Sequence, residues 1–101
     1  MATVRIAKYW LSDDPQAIER EEAIRISRDL TLPFARAQPG FLGYELVEAN
    51  DGFFAITHWR TRDEAEALAA SHEAWRQANA PALPQPVEVH LGEVVISDDE
   101  A

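Results

Sequence analysis

The stretch PGFLGYELVEANDGFFAITHW, residues 39–59, decides the fold. Two apolar runs, over 41–48 and 53–60, flank ANDG, whose composition is typical of a tight turn. The pattern therefore predicts a β-hairpin. Because successive residues of a strand point to opposite faces, the first strand of this hairpin should carry apolar residues on both sides, with Leu42, Tyr44 and Leu46 on one and Phe41 and Val47 on the other.

The other strand of the hairpin is apolar on both sides as well. Its odd positions are Phe53, Ala55, Thr57 and Trp59, and its even positions are Phe54, Ile56 and His58. An exposed sheet face is normally polar. Helices can cover one face only, so we expect the same face of a second copy to cover the other. The sequence predicts a homodimer that associates through its sheets, with Trp59 on the helix side and His58 at the interface.

Before the hairpin, the pattern predicts one strand and one helix. Residues 3–11 alternate, with Val4, Ile6, Lys8 and Trp10 on one side and Arg5, Ala7 and Tyr9 on the other. Asp14 is placed to cap a helix that has Pro15 at its first position and runs from 16 to about 37. Its apolar face consists of Ile26, Leu30 and Phe34. Pro33 should kink this helix or start a new turn.

After the hairpin, TRDE (61–64) has the spacing of a capping box, with Thr61 as the cap and Glu64 three residues later. It predicts a second helix that ends near residue 79. Pro81, Pro84 and Pro86 make the next segment irregular. A last strand is predicted over 87–97, with Val87, Val89 and Leu91 on one side and Val94 and Ile96 on the other.

The order of elements is strand, helix, strand, strand, helix, strand. This order predicts an α+β fold of the ferredoxin-like βαββαβ type, in which two helices cover one face of a four-stranded antiparallel sheet. We expect a single domain over 1–101, with a core at 3–97 and a frayed acidic tail at 98–101.

Composition excludes several classes of function. The formal charge of −9 disfavours nucleic acid and anionic membranes as partners. The chain has no Cys, so it has no disulfides and no thiolate sites. The N-terminal sequence lacks an apolar run long enough for a signal peptide, which leads us to expect a cytoplasmic protein. His58, His72 and His90 lack metal-ligand spacing, and we expect neither a metal nor another cofactor.

Three motifs carry a family resemblance: QPGFLGYEL (38–46), FFAITHWRTRDEAEAL (53–68) and SHEAW (71–75). With them, residues 3–97 resemble the antibiotic biosynthesis monooxygenase-like family of dimeric α/β-barrel proteins. The resemblance implies a pocket between the helices and the sheet of each subunit. Family members include cofactor-independent oxygenases that act on quinols and aromatic polyketides. Others degrade haem, and many have no established activity.

The chain departs from the patterns of both characterised branches. The residues of the haem-degrading branch, an Asn on the first strand and a Trp and a haem-ligating His on the second helix, would fall near Ala7, on Leu68 and on Ala78. The haem branch is therefore disfavoured. Some polyketide-oxidising members use an Asn on the third strand and the Trp at its end. Here Trp59 matches, but Ala55 occupies the Asn position.

His72 is the first candidate for chemistry, as a general base. Helical spacing places it on one side of the second helix with Ala65, Leu68, Trp75 and Asn79. Asn79 or Tyr44 would then stabilise an oxyanion, and Trp59, Trp75, Phe54 or Leu68 would hold an aromatic ring. The structural alternatives remain open: a half-buried His at a helix–sheet contact, core tryptophans, and a Tyr hydroxyl at the sheet edge.

The sequence thus favours a cofactor-independent monooxygenase that oxidises a small electron-rich aromatic compound, such as a quinol, a phenol or an anthrone-like ring. The alternative is a non-catalytic dimeric domain that binds small molecules or is associated with stress. A lyase or isomerase is a third possibility, because related dimeric barrels carry out such reactions.

Overall fold

The computed structural model describes residues 2–10, 19–50, 52–81 and 85–98. Four strands form one antiparallel sheet in the order β2-β3-β1-β4, which confirms the predicted ferredoxin-like arrangement. The elements along the chain are β1 (Thr3–Trp10), α1 (Arg20–Ile26), a π-helical turn (Ser27–Thr31), α2 (Leu32–Arg36), β2 (Phe41–Glu48), β3 (Gly52–Trp59), α3 (Arg62–Asn79) and β4 (Glu88–Glu93).

Burial alternates along β1 as the strand pattern predicts. Thr3, Arg5, Ala7 and Tyr9 are buried beneath the helices. The side chains between them are half-buried on the other side of the sheet. We call that side the open face; its described members include Val4, Ile6, Lys8, Glu45, Val47, Phe54, Ile56 and His58.

A β-bulge changes the sides of β2. The register shifts between Phe41 and Gly43, which leaves Leu42 without a partner in β3. Phe41 therefore lies on the helix side, where its ring packs edge-on against Trp59 at 5.9 Å between centroids. The bulge pushes Leu42 outward, and it is 54% exposed. The prediction that Leu42 shares a face with Tyr44 was wrong.

The first predicted helix contains a wide turn. The Leu32 N–H donates to the Ser27 carbonyl, five residues back, instead of four. Pro33 follows at once and has no N–H to give to the carbonyl of Asp29, so the regular ladder cannot continue through it. The wide turn keeps the chain helical and turns Ser27 and Thr31 towards the sheet.

Thr61 caps α3 as predicted, and Glu64 bonds the capping hydroxyl. The Glu64 N–H donates to the Thr61 hydroxyl at 3.2 Å, and that hydroxyl donates to the Glu64 carboxylate at 3.0 Å. The helix ends at Asn79. Gly40, at φ +83°, packs against the Glu64 carboxylate with no room for a Cβ, so the hairpin entry and the helix start fit together.

The last strand is shorter than predicted and ends where β1 begins. Thr3 is opposite Glu93, and the final backbone bond joins the Val94 N–H to the Ala2 carbonyl at 2.9 Å. Val95 and Ile96 are exposed. The prediction that the strand continues to residue 97 was wrong.

Some predictions lie outside the described residues. They are the helix cap at Asp14 and Pro15, the helix start at 16, the side of Trp10 and most of the acidic tail. Within the described ranges, no helix is long and apolar enough to cross a membrane.

Candidate functional site

A cavity lies between the sheet and the helices. It is narrow, with a volume of about 30 Å³, enough for one or two water molecules. Its walls come from β1, β2, β3, the helical run 20–36 and α3; they are Arg5, Tyr9, Ala23, Ser27, Thr31, Phe34, Ala35, Tyr44, Leu46, Phe53, Ala55, Thr57, Leu68 and His72.

An open groove of about 400 Å³ adjoins this cavity. Ser27, Tyr44, Leu46 and Phe53 line both spaces, so these four side chains form the boundary between them. The groove volume lies within the range of roughly 300–1,000 Å³ common for small-molecule sites. A ligand would therefore enter through the groove and reach the polar inner wall past this boundary.

His72 is the titratable group that α3 directs into the cavity. Its residue is 6% exposed. The imidazole stacks on Trp75 at 5.7 Å and packs against Phe34 at 6.2 Å between ring centroids. Burial lowers the pKa of His72 to about 4, and the nearby Arg5 acts in the same direction. The ring is therefore neutral at pH 7.

Arg5 brings a cation to the same wall. The sheet register sets it opposite Thr57 on β3 and Leu91 on β4. It is 7% exposed, and its Nε has no hydrogen-bond partner among the described residues. Burial lowers the pKa of the guanidinium, and the hydroxyl of Tyr9 opposes that shift. An arginine remains cationic in such surroundings, so the cavity holds a positive charge.

Five hydroxyl groups, those of Tyr9, Ser27, Thr31, Tyr44 and Thr57, complete the polar lining. Burial raises the pKa of Tyr9 to about 12. Burial also raises the pKa of Tyr44, while a hydrogen bond with Ser27 opposes the rise. The Thr57 hydroxyl accepts a hydrogen bond from Trp59 Nε1 at 2.7 Å. The Thr31 hydroxyl is buried and has no hydrogen-bond partner within the part of the chain that the structure describes. These groups can donate to a ligand oxygen.

Three of the residues predicted from sequence line the cavity together: His72, Tyr44 and Leu68. Two lie behind its wall. Trp59 faces the helices, as predicted, but it is fully buried; it bonds Thr57 and shares a core cluster with Leu68 and Phe34, which line the cavity. Trp75 stacks on Phe34 at 4.6 Å and on His72. Both tryptophans support lining residues and do not themselves line the cavity.

The predicted positions of Asn79 and Phe54 were wrong. Asn79 is exposed, and its amide donates to the Trp75 carbonyl of its own helix at 3.0 Å. The buried stripe of α3 ends at Arg76 instead. Phe54 lies on the open face, where the Lys8 ammonium sits 5.5 Å from the ring centroid.

Sequence reasoning missed Arg5 as a site residue. The signal was present, because Arg5 alternates with Ala7 and Tyr9 on the side of β1 that becomes buried. A charged residue at a buried strand position is unusual. Thr57 carried a weaker signal of the same kind. Among the described residues no cluster of three or more His, Cys, Asp or Glu side chains could hold a metal ion.

Solved structures of low sequence identity share this fold. SnoaB, a cofactor-independent oxygenase from Streptomyces nogalater solved as a single-substitution variant, superposes with a TM-score of 0.68 at 18% identity, covering 98% of each chain. A Chloroflexus aurantiacus protein, provisionally described as an antibiotic biosynthesis monooxygenase, gives 0.63 at 18% identity over 96% of each chain.

A heme-degrading protein from Mycobacterium tuberculosis, in its heme-free form, is 25% identical, with a TM-score of 0.56 over 96% of this chain and 98% of that one. No functionally curated protein matches the sequence. The sequence pattern of the antibiotic biosynthesis monooxygenases matches residues 14–81. Since this match spans more than half of the chain, the protein belongs to the antibiotic biosynthesis monooxygenase family.

Proposed function

We propose that the protein is a cofactor-independent monooxygenase that oxidises a small electron-rich aromatic substrate with O₂. The observation that supports this most is the buried, neutral His72, which faces a narrow cavity with largely apolar walls. A neutral imidazole has one nitrogen that can accept a proton, and this side chain lines the cavity where a ligand would bind.

An anthrone-like ring illustrates the reaction. Loss of a proton gives a resonance-stabilised anion, which passes one electron to O₂. The resulting carbon radical and superoxide combine to form a C–O bond. The peroxide takes up a proton and loses water as its O–O bond breaks, which converts the CH₂ group to a carbonyl. One atom of O₂ enters the product and the other enters water, and the substrate supplies all the electrons.

His72 would accept the first proton and return it to the peroxide. A pKa of about 4 makes the imidazole a weak base in the empty cavity. An anion formed beside it would raise that pKa, because the opposite charge stabilises the imidazolium. The Tyr44 hydroxyl would donate to the ring oxygen. Leu68 and Phe34 would exclude water at the inner end of the substrate, and Leu46 and Phe53 would hold the ring where the cavity meets the groove.

The residues present do not fit haem degradation. Ala78, the position where the resemblance places a haem-ligating His, is exposed on α3. Leu68 occupies the position of the Trp, and the cavity is far smaller than a porphyrin.

A homodimer through the open face is part of this proposal. Ile6 and Ile56 are cross-strand partners at the centre of that face, and Val47 is 42% exposed beside them. A second copy would bury these side chains, as apolar burial favours.

One observation favours the alternative, a dimeric small-molecule-binding domain without catalysis. Ala55 lines the cavity at the position of the Asn that some polyketide-oxidising relatives use. Its methyl group cannot donate a hydrogen bond to a substrate oxygen. In this alternative, an aromatic compound would bind without oxygen uptake or chemical change.

Oxygen uptake tests the proposal. Purified, chelator-treated protein is assayed against a panel of hydroquinones and anthrones beside His72→Ala, with Ser71→Ala as the matched control. Ser71 is the adjacent residue on α3 but faces solvent. We expect His72→Ala to lower kcat about 10²-fold and Ser71→Ala to leave it unchanged. Equal rates for the wild type and His72→Ala would contradict the role given to His72.

A further inference from the structure

Arg5 differs from the other arginines near the site. At the groove, Arg20 Nε bonds Glu48 at 2.6 Å and Arg28 Nε bonds Asp29 at 2.9 Å. Arg5 lies deeper, and of the residues in the described ranges none forms an ion pair with it. A buried charge without a partner is strongly unfavourable. A ligand with an anionic group would supply the missing partner.

The surroundings of Arg5 suit an anionic oxygen. The unpartnered Nε of Arg5 and the unpartnered hydroxyl of Thr31 belong to the lining of the same cavity. His72 adds a neutral imidazole, and Tyr9 and Tyr44 add hydroxyl donors. A guanidinium binds a carboxylate or phenolate through charge-assisted, often paired hydrogen bonds. No acidic side chain is among the residues that line the cavity.

The rest of the path suits a flat ring. Leu46 and Phe53 line the cavity and the groove alike, and Ile24 and Leu32 line the outer part of the groove. The cavity of about 30 Å³ admits a few atoms, whereas the groove of about 400 Å³ admits a small fused-ring system. A ligand would therefore place its charged end inward and its ring outward.

We propose that this site binds a planar aromatic anion, a carboxylate or an ionised acidic phenol, and that Arg5 binds its anionic oxygen. The inference rests on the proposed function where it names the class of substrate. As a statement about binding, it can be tested without turnover.

The experiment is isothermal titration calorimetry with matched pairs of probes at pH 7. The first pair is 2-naphthoate and its neutral amide. The second is 2-hydroxy-1,4-naphthoquinone, which is ionised at this pH, and its neutral methyl ether. We expect the anion of at least one pair to bind tenfold or more tightly than its neutral counterpart, since hydrogen bonds to charged groups are worth about that much. The two pairs distinguish a carboxylate from an acidic phenol.

Variants assign the preference to Arg5. Arg5→Met should abolish the preference for the anion and leave binding of the neutral probe unchanged. Arg5→Lys should retain part of it, because the charge remains without the paired donors. Arg62→Met removes an exposed arginine at the start of α3, paired with Glu66, and should keep the full preference.

Thermal unfolding gives a second readout. Removing an uncompensated buried charge should raise the melting temperature of Arg5→Met above that of the wild type. A lower melting temperature would show that Arg5 has a structural partner and would overturn the inference. Three binding results would overturn it too. They are equal binding of acid and amide, no binding of any probe at millimolar concentration, and an anion preference that survives in Arg5→Met.

The outcomes separate this inference from the proposed function. Arg5-dependent binding without oxygen uptake would support the inference and contradict the oxygenase. Oxygen uptake on neutral substrates that does not depend on Arg5 would support the oxygenase and contradict the inference about Arg5.

Discussion

His72 and Arg5 are two basic side chains that line the same buried cavity but carry different charges at neutral pH. Burial disfavours the charged form of both. The histidine is therefore deprotonated at neutral pH, whereas the arginine keeps its proton. The cavity therefore holds one neutral acceptor and one fixed cation. This is the combination that generating a substrate anion requires: a group that accepts the proton and a charge that stabilises what remains.

The lowered pKa of His72 makes stability depend on pH. Between pH 6.5, its ordinary pKa, and about 4, its value in the fold, the unfolded chain binds a proton at this residue that the folded chain does not. The free energy of unfolding should therefore fall as pH falls through this window, by at most about 3 kcal/mol from this residue at pH 4.

Urea denaturation at pH 7, 5.5 and 4.5 measures this effect. Carboxylates contribute to acid unfolding in every variant, so the comparison is with His72→Gln, which lacks the titrating ring. We expect the stability of the wild type to fall more steeply. Parallel pH profiles for the two proteins would show that His72 is not buried in its neutral form.

At the scale of elements, the sequence predicted the ends of a helix, which local residues mark. It did not predict features that depend on how one strand pairs with another. The ends of α3 were predicted because Thr61, Glu64 and Pro81 mark them in the chain. The bulge at Leu42 has no such mark, since only the register against β3 creates it. The end of β4 depends on where β1 begins.

The same distinction applies to the candidate site. Helical spacing predicted that His72 and Leu68 share a buried stripe. It placed Asn79 there wrongly, because the buried stripe of α3 passes through Arg76 in the last turns. To predict Arg5 as a site residue, one has to know that its side of β1 faces the helices. Strand alternation shows that β1 has two sides but does not tell which of them is buried.

Thr61 should contribute measurably to the stability of α3. Its hydroxyl accepts from the Glu64 N–H, one of the helix donors without a carbonyl partner. Thr61→Ala should lower the free energy of unfolding by about 1 kcal/mol, as loss of such a cap commonly does. Thr61→Ser keeps the hydroxyl and should stay close to the wild type. Urea denaturation in which both variants match the wild type would show that the cap is energetically silent.

At the scale of the whole molecule, the open face raises the question of assembly. The helices bury one face of the sheet, while Ile6, Ile56 and Val47 remain partly exposed on the other face. A small domain buries a limited fraction of its surface on folding, so association would add stability that the single chain lacks. We expect light scattering at micromolar concentration to give twice the monomer mass of 11.3 kDa.

Ile56→Glu tests which face associates. It places a charge at the centre of the open face, where two copies would bring the carboxylates together without partners. The variant should be monomeric and folded by circular dichroism. Ala70→Glu adds the same charge on the exposed side of α3 and should remain dimeric. A dimeric Ile56→Glu protein would place the interface elsewhere.

Isotope incorporation tests the central claim most directly. Chelator-treated protein is incubated with an anthrone under ¹⁸O₂, and the product is analysed by mass spectrometry. The account predicts a quinone that carries one ¹⁸O atom in the new carbonyl group, with the second atom in water. Recovery of the anthrone unchanged, or of a product whose new oxygen comes from water, would contradict it.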